Sequence, residues 1–173
     1  MATLQIAHLS DLHILRDYNG SMLDRAPLRQ TVPPVNYVLA GIREAVAARP
    51  AVIVLTGDLV HEGTEEDSRY LRDLGEERTG SYTARYELGG YRFLVLDTAQ
   101  EGNGCGVISQ EQVQWLSEEL AQPYGQGTIL LGHHPLASRQ AWFHTDYPEF
   151  LGQVLAKSDV IAYLCGHAHY AED

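Results

Sequence analysis

An α/β layered sandwich is the fold class this sequence predicts, and three observations predict it. Short aliphatic and β-branched runs alternate with segments of helical apolar spacing. One hairpin interrupts that alternation in the middle of the chain. An acidic or imidazole side chain follows directly on four of the apolar runs, where open α/β sheets hold their ligands, beyond the carboxyl ends of their strands. A length of 173 residues is enough for one domain with a real core. No internal repeat, low-complexity stretch or linker divides it, so a single domain over 1–173 is expected.

The elements follow in order. Leu4–Ser10 is expected as a buried strand. Val35, Val38, Leu39, Ile42 and Val46 follow helical spacing just after Pro33-Pro34. Ala51–Thr56, AVIVLT, has the β-branched character of a central parallel strand. Glu65–Leu74 is a charged helical segment. Tyr82, Ala84, Tyr86 and Leu88 alternate with polar residues, and Gly89-Gly90 separates them from Tyr91–Asp97, a hairpin signature. Ser109 and Gln112 form a capping box ahead of Val113, Leu116 and Leu120 on one helical face. Thr128–Leu131 and Val160–Cys165 are short buried strands, with a helix over Pro148–Ala156 between them.

The bulk composition narrows the function classes. Hydrophobic residues make up 45% and charged residues 20%, an ordinary globular balance. The net charge of −11 argues against a nucleic-acid groove, because phosphate backbones require Lys and Arg. Two cysteines, Cys105 and Cys165, make no disulfide framework and fit a reducing cytoplasm. The start of the chain reads as a strand rather than a signal peptide. No apolar run reaches the roughly 18 residues of a membrane span. The sequence leaves homo-oligomerisation open.

The chemistry lies in four strings. SDLH carries Asp11 and His13, TGDLV carries Asp58, GHHP carries His133, and CGHAH carries His167 and His169. Carboxylates and imidazoles together suit divalent Mn, Fe or Zn. Gly57, Gly132 and Gly166 precede several of these residues and admit tight turns. The Asp-x-His and His-x-His spacings place both side chains on one side of an extended segment. Taken singly, each string has a plain structural alternative: Asp58 as a turn or helix cap, His133 and His134 as loop histidines. Their combination after four of the strands is what favours a metal site. His8, inside a strand, is structural. His61, just past the Asp58 turn, is a candidate supporting or substrate residue, and Asn103 and His144 are candidate substrate contacts. The loops Arg16–Arg29, Gln100–Ile108 and Ala137–Tyr147 are the expected pocket.

With these strings the chain resembles a calcineurin-like metallophosphoesterase, nearest to the class III cyclic nucleotide phosphodiesterases and glycerophosphodiesterases. FLVLDT and GVISQEQVQWLSEEL add to the resemblance. It implies a four-layer α/β/β/α sandwich, here shortened, and hydrolysis of a small phosphodiester such as a cyclic nucleotide. It also implies two adjacent divalent transition metals. Asp11, His13 and His169 would hold the first, His133 and His167 the second, and Asp58 would bridge both. A metal-bound hydroxide would be the nucleophile, generated near His133 and Asp58.

The chain departs from that pattern in one place. The family carries a GNHD string between the TGD turn and the hairpin, whose Asn ligates the second metal and whose His assists the leaving group. No such string occurs here, and Asn19, Asn36 and Asn103 do not match it. The chain also ends four residues after His169, where the family continues with further strands. A compact variant with a weakened second metal site, a sequence lacking segments, and, as a second function class, a non-catalytic metal-binding or protein-binding scaffold of the same fold all fit this departure.

Overall fold

A computed structural model describes residues 3–15, 34–60, 83–99, 104–136, 152–153, 156 and 159–168. It is an α/β protein whose chain divides into two compact units, Met1–Thr79 and Gly80–Asp173. Each is described by itself.

In the first unit, β1 (Ile6–Leu9) pairs in parallel with β2 (Val52–Leu55), register Ile6 opposite Val52 through Leu9 opposite Leu55. A crossover helix, α1 (Pro34–Ala47), lies between them in sequence. It starts on proline, which has no N–H to leave unsatisfied in the first turn. It ends where Arg49 takes a left-handed φ of 52° and Pro50 follows, and neither continues a helix. The apolar face differs by one position from expectation. Ala45 is buried, whereas Val46 is 58% exposed. The inward stripe therefore runs Val38, Ile42, Ala45, at spacings of four and three. β2 also differs from the doubly covered strand expected of AVIVLT. Val54 is buried, but Ile53 and Leu55 on the other face are 38% and 48% exposed.

The second unit holds a four-stranded mixed sheet in the order β3-β4-β5-β6. β3 (Ala84–Leu88) and β4 (Tyr91–Val95) are the expected hairpin. Gly89 and Gly90 have φ of 60° and 84°, the paired positive values of a two-residue turn matched to strand twist. β4, β5 (Thr128–Leu131) and β6 (Val160–Leu164) are parallel. A register irregularity lies at the start of the last pair. Thr128 faces Val160 but Ile129 faces Ala162, leaving Ile161 as an extra residue on β6.

The helix α2 (Gln110–Glu119) covers this sheet. Its Val113 and Leu116, with Leu120, pack on Leu94, Leu96, Ile108 and Leu130. Ser109 caps α2, accepting from the Gln112 N–H at 3.3 Å. The reciprocal half of the expected capping box does not form. The Gln112 amide instead clamps the end of β4, donating to Asp97 O at 2.7 Å and accepting from Asp97 N at 2.9 Å. The same side chain thus ties helix to strand rather than closing the helix on itself.

One buried charge organises the sheet. Arg92 on β4 donates to Thr128 Oγ1 at 2.9 Å and pairs with Asp159 at 2.8 Å, while also reaching the carbonyls of Glu119 and Gln122. It therefore pins β4, β5, the approach to β6 and the end of α2 together. Of the helix expected over Pro148–Ala156, only Gly152, Gln153 and Ala156 are described, and Ala156 N–H bonds Gly152 O at 3.1 Å in helical fashion. The helix expected over Glu65–Leu74 lies outside the described residues. No helix of the described residues is long and apolar enough to cross a membrane.

Candidate metal centre

Beyond β1 and β2 the two chains stay zipped together. Thr56 N–H bonds Leu9 O, Asp11 N–H bonds Gly57 O, His13 N–H bonds Asp58 O, and Ile14 N–H bonds Leu59 O, at 2.9–3.2 Å. This ladder carries the SDLH turn alongside the TGDLV turn and sets Asp11, His13 and Asp58 side by side. Their donor atoms lie within 4.8 Å of one another. His13 Nε2 stands 3.7 Å from Asp58 Oδ2, and Ser10 Oγ donates to Asp11 Oδ2 at 2.6 Å.

The expected reason for this grouping is corrected. Asp11 and His13 do not share a face of an extended segment. Both are left-handed, with φ of 55° and 44°, and Asp58 has φ of 45°. His167 has φ of 69°, so among the described residues four of the five non-glycine residues with positive φ are candidate ligands. Asp and His tolerate this region better than most residues, yet it remains uncommon. Such conformations cluster where a side chain must be aimed at a ligand. The glycine expectation is corrected likewise. Gly57 has φ of 100°, but Gly132 is required for space: a Cβ there would stand 2.2 Å from the Tyr163 hydroxyl.

In the second unit β5 and β6 deliver the imidazoles. Gly132 N–H bonds Leu164 O at 3.1 Å and Gly166 N–H bonds His133 O at 2.9 Å, continuing the pairing past both strand ends. His133 and His167 come together, ring centroids 5.1 Å apart, with their Nε2 atoms buried. His134, read from sequence only as a loop histidine, joins them. Its centroid is 4.4 Å from that of His167 and 4.9 Å from that of His133. The donor atoms of the three lie within 4.8 Å of one another. The available signal was the histidine doublet immediately after a wholly buried strand.

Each donor set fits a divalent ion. Two carboxylates with one imidazole suit Mn, Fe or Zn, and a cluster of neutral imidazoles suits Zn or Fe. His169, His61, Asn103 and His144 lie outside the described residues, as do Arg16–Arg29 and Ala137–Tyr147. Of Gln100–Ile108 the part from Gly104 onward is described. It backs His134 through Gly106 and is tied to Thr98 by Val107 N–H at 3.0 Å. His8 is structural as expected, its Nε2 bonded to Thr56 Oγ1 at 2.7 Å. Burial holds the His8 imidazole below its ordinary range, partly opposed by the charge of Asp11. Burial also pushes the Tyr163 phenol up, which keeps its O–H a donor to His134 O at 2.7 Å.

Two clusters of ligand-competent side chains thus stand at the ends of parallel strands. No protein-family model matches the chain. Individual proteins do. A probable cyclic nucleotide phosphodiesterase of Rhodococcus erythropolis is 31% identical over 201 aligned positions, covering 96% of this chain and 65% of that protein. A cAMP/cGMP dual specificity phosphodiesterase of Mycobacterium tuberculosis is 31% identical over 204 positions, covering 96% and 62%. The 3',5'-cyclic adenosine monophosphate phosphodiesterase of Escherichia coli is 35% identical over 88 positions, 48% of this chain. Over most of its length the chain is similar to proteins named cyclic nucleotide phosphodiesterases, consistent with a metallophosphoesterase family. It spans just under two thirds of the length of the first two. The 201 aligned positions exceed the 173 residues of the chain, so the Rhodococcus protein carries at least 28 residues within the alignment where this chain has none.

Proposed function

We propose that the protein is a dinuclear metal-dependent phosphohydrolase acting on a small phosphodiester such as a cyclic nucleotide, on a shortened single-domain four-layer α/β/β/α fold. In this reading Asp11, His13, Asp58 and His169 hold one divalent ion, and His133 and His167 hold a second with Asp58 shared. The carrying observation is the gathering of Asp11, His13 and Asp58 into one ligand group and of His133 and His167 into another. Bound divalent Mn, Fe or Zn would acidify a water and neutralise charge growing on the phosphoryl oxygens. The chain's own residues supply position. The paired turns aim the carboxylates, and the β5 and β6 ends aim the imidazoles. His61, Asn103 and His144 are proposed substrate contacts. The net charge of −11 favours a small anion neutralised at the ions over a nucleic-acid backbone.

Metal-dependent turnover of bis-nitrophenyl phosphate and of cyclic AMP tests the reading, with chelated protein as the control. Turnover restored by Mn or Zn is expected. The alternative is a scaffold that binds metal or protein without catalysis. It draws on the missing GNHD string and the alignment gap. Full metal occupancy with no hydrolysis of any ester would establish the scaffold instead.

A further inference from the structure

We propose that His134 is a metal ligand: the second unit holds its divalent ion through His133, His134 and His167, with His134 replacing the asparagine of the absent GNHD string. This rests on the metal-dependent reading above. It adds a residue which that reading does not assign.

Four observations carry it. One ring nitrogen from each of the three lies within 4.8 Å of the others, and metal–nitrogen bonds of about 2.0–2.1 Å ask for donors roughly 3.3 Å apart, a closure that side-chain rotation can supply. His134 is held at its ring, its N–H and its carbonyl. Its Nδ1 bonds Thr98 Oγ1 at 2.8 Å, its N–H bonds the same oxygen at 3.2 Å, and its carbonyl accepts from Tyr163. A ligating histidine is usually oriented by such a bond at its other ring nitrogen. Nδ1 is committed to Thr98, so Nε2 is the nitrogen assigned to the ion. The surroundings also make room for the ring: a Cβ at Gly106 would stand 2.5 Å from His134 Cβ. Finally, the chain has no Asn in family position, and a dinuclear centre built without it leaves the second ion with one protein ligand fewer. A structural histidine satisfied by Thr98 would account for the Nδ1 bond. It would not account for the ring's place in the imidazole group.

The test uses the full chain labelled with ¹⁵N-histidine, with backbone-assigned spectra, titrated with ¹¹³Cd²⁺. Direct cadmium–nitrogen coupling is expected at ring nitrogens of His133, His134 and His167, with His134 Nδ1 uncoupled. In parallel, His134→Gln should weaken one zinc-binding step tenfold or more by calorimetry. That size is at least that of losing a supporting partner of a ligand, roughly 10–100-fold. Coupling at His133 and His167 but not at His134 overturns the proposal and leaves the functional reading standing. So does wild-type zinc affinity in a folded His134→Gln variant. If that variant does not fold, the coupling pattern of the wild-type chain decides alone. Absence of coupling at every histidine, with no zinc bound, fails the metal-dependent reading itself.

Discussion

The two candidate ligand groups share one device, a left-handed backbone at His167 as at Asp11, His13 and Asp58, and differ in the rest. In the first unit, Asp11, His13 and Asp58 ride on left-handed backbone at the end of a two-stranded sheet, and β2 is covered on one face among the described residues. In the second, His133 and His134 sit beyond β5, whose four residues are all buried, His167 sits beyond β6, and hydrogen bonds with the Thr98 and Tyr163 hydroxyls brace His134. A carboxylate group tolerates water and can be aimed by backbone conformation alone. Imidazoles must stay neutral to bind metal, and a buried strand beside a braced, buried His134 holds that ring in place. The first group relies on left-handed backbone at all three residues, the second at His167 alone, with packing fixing His134.

The largest consequence is kinetic and concerns what neither group supplies. General-acid help is typically worth about 10²–10⁴-fold, and this chain lacks the histidine to which the resemblance assigns that task. Alkyl diesters and cyclic nucleotides should therefore turn over more slowly than nitrophenyl esters by a factor of that order. A leaving-group series measures this directly. A flat dependence on leaving-group pKa would mean that another residue, such as His61 or His144, gives the proton.

The packing half of the comparison is tested at Arg92, which is 3% exposed. Asp159→Ala leaves the buried guanidinium without its carboxylate, a change that costs about 3–5 kcal/mol in buried pairs. Urea denaturation should show it. Arg92→Leu with Asp159→Leu should recover much of the loss, because no charge is then stranded. Equal losses in single and double variants would mean the pair is not what holds the sheet.

The strain half is tested at Asp58. With metal removed, Asp58→Gly should be about 1–2 kcal/mol more stable than Asp58→Ala, because only an L-residue resists φ near 45°. Both variants should lose most bound metal, read by elemental analysis. Metal content equal to wild type would remove Asp58 from the centre. Equal stability of Gly and Ala would show that the turn is not strained.

The smallest effect is a pH dependence confined to the first unit. The folded-state pKa of His8 is lowered by burial, so the unfolded chain takes up a proton first on acidification. The contribution is intact above the ordinary value of about 6.5 and is lost as pH falls from there toward the folded value. His8→Gln in chelated protein should flatten the stability profile across that window. An unchanged slope would place the dependence elsewhere.

These contrasts also mark what the chain disclosed in advance. Strand ends, the Gly89-Gly90 hairpin and the Ser109 cap were legible because local chemistry decides them. The candidate ligands stood out because Asp and His immediately after apolar runs are unusual in a core. Which face α1 buries was misread by one position, since Ala45 and Val46 are both apolar and only tertiary contact separates them. The left-handed turns at Asp11, His13 and Asp58 were invisible, because spacing fits an extended segment equally well. His134 was passed over because nothing local distinguishes a braced ring from a loop ring: its brace, Thr98, lies 36 residues away. Arg92 gave a signal that went unread, a lone cation inside an otherwise apolar strand.

The extra residue at Ile161 bears on how this scaffold tolerates change in length. His133 and His167 belong to segments joined by some thirty positions of sequence, and an insertion or deletion there would ordinarily slide β6 against β5 and turn its side chains to the wrong face. A bulge placed at the first pair, between Thr128 and Ile129, lets the strand entry gain or lose a residue while the pairing from Ala162 onward stays as it is. A change of length in the segment before β6 can thus be absorbed at the bulge without turning His167 away from His133.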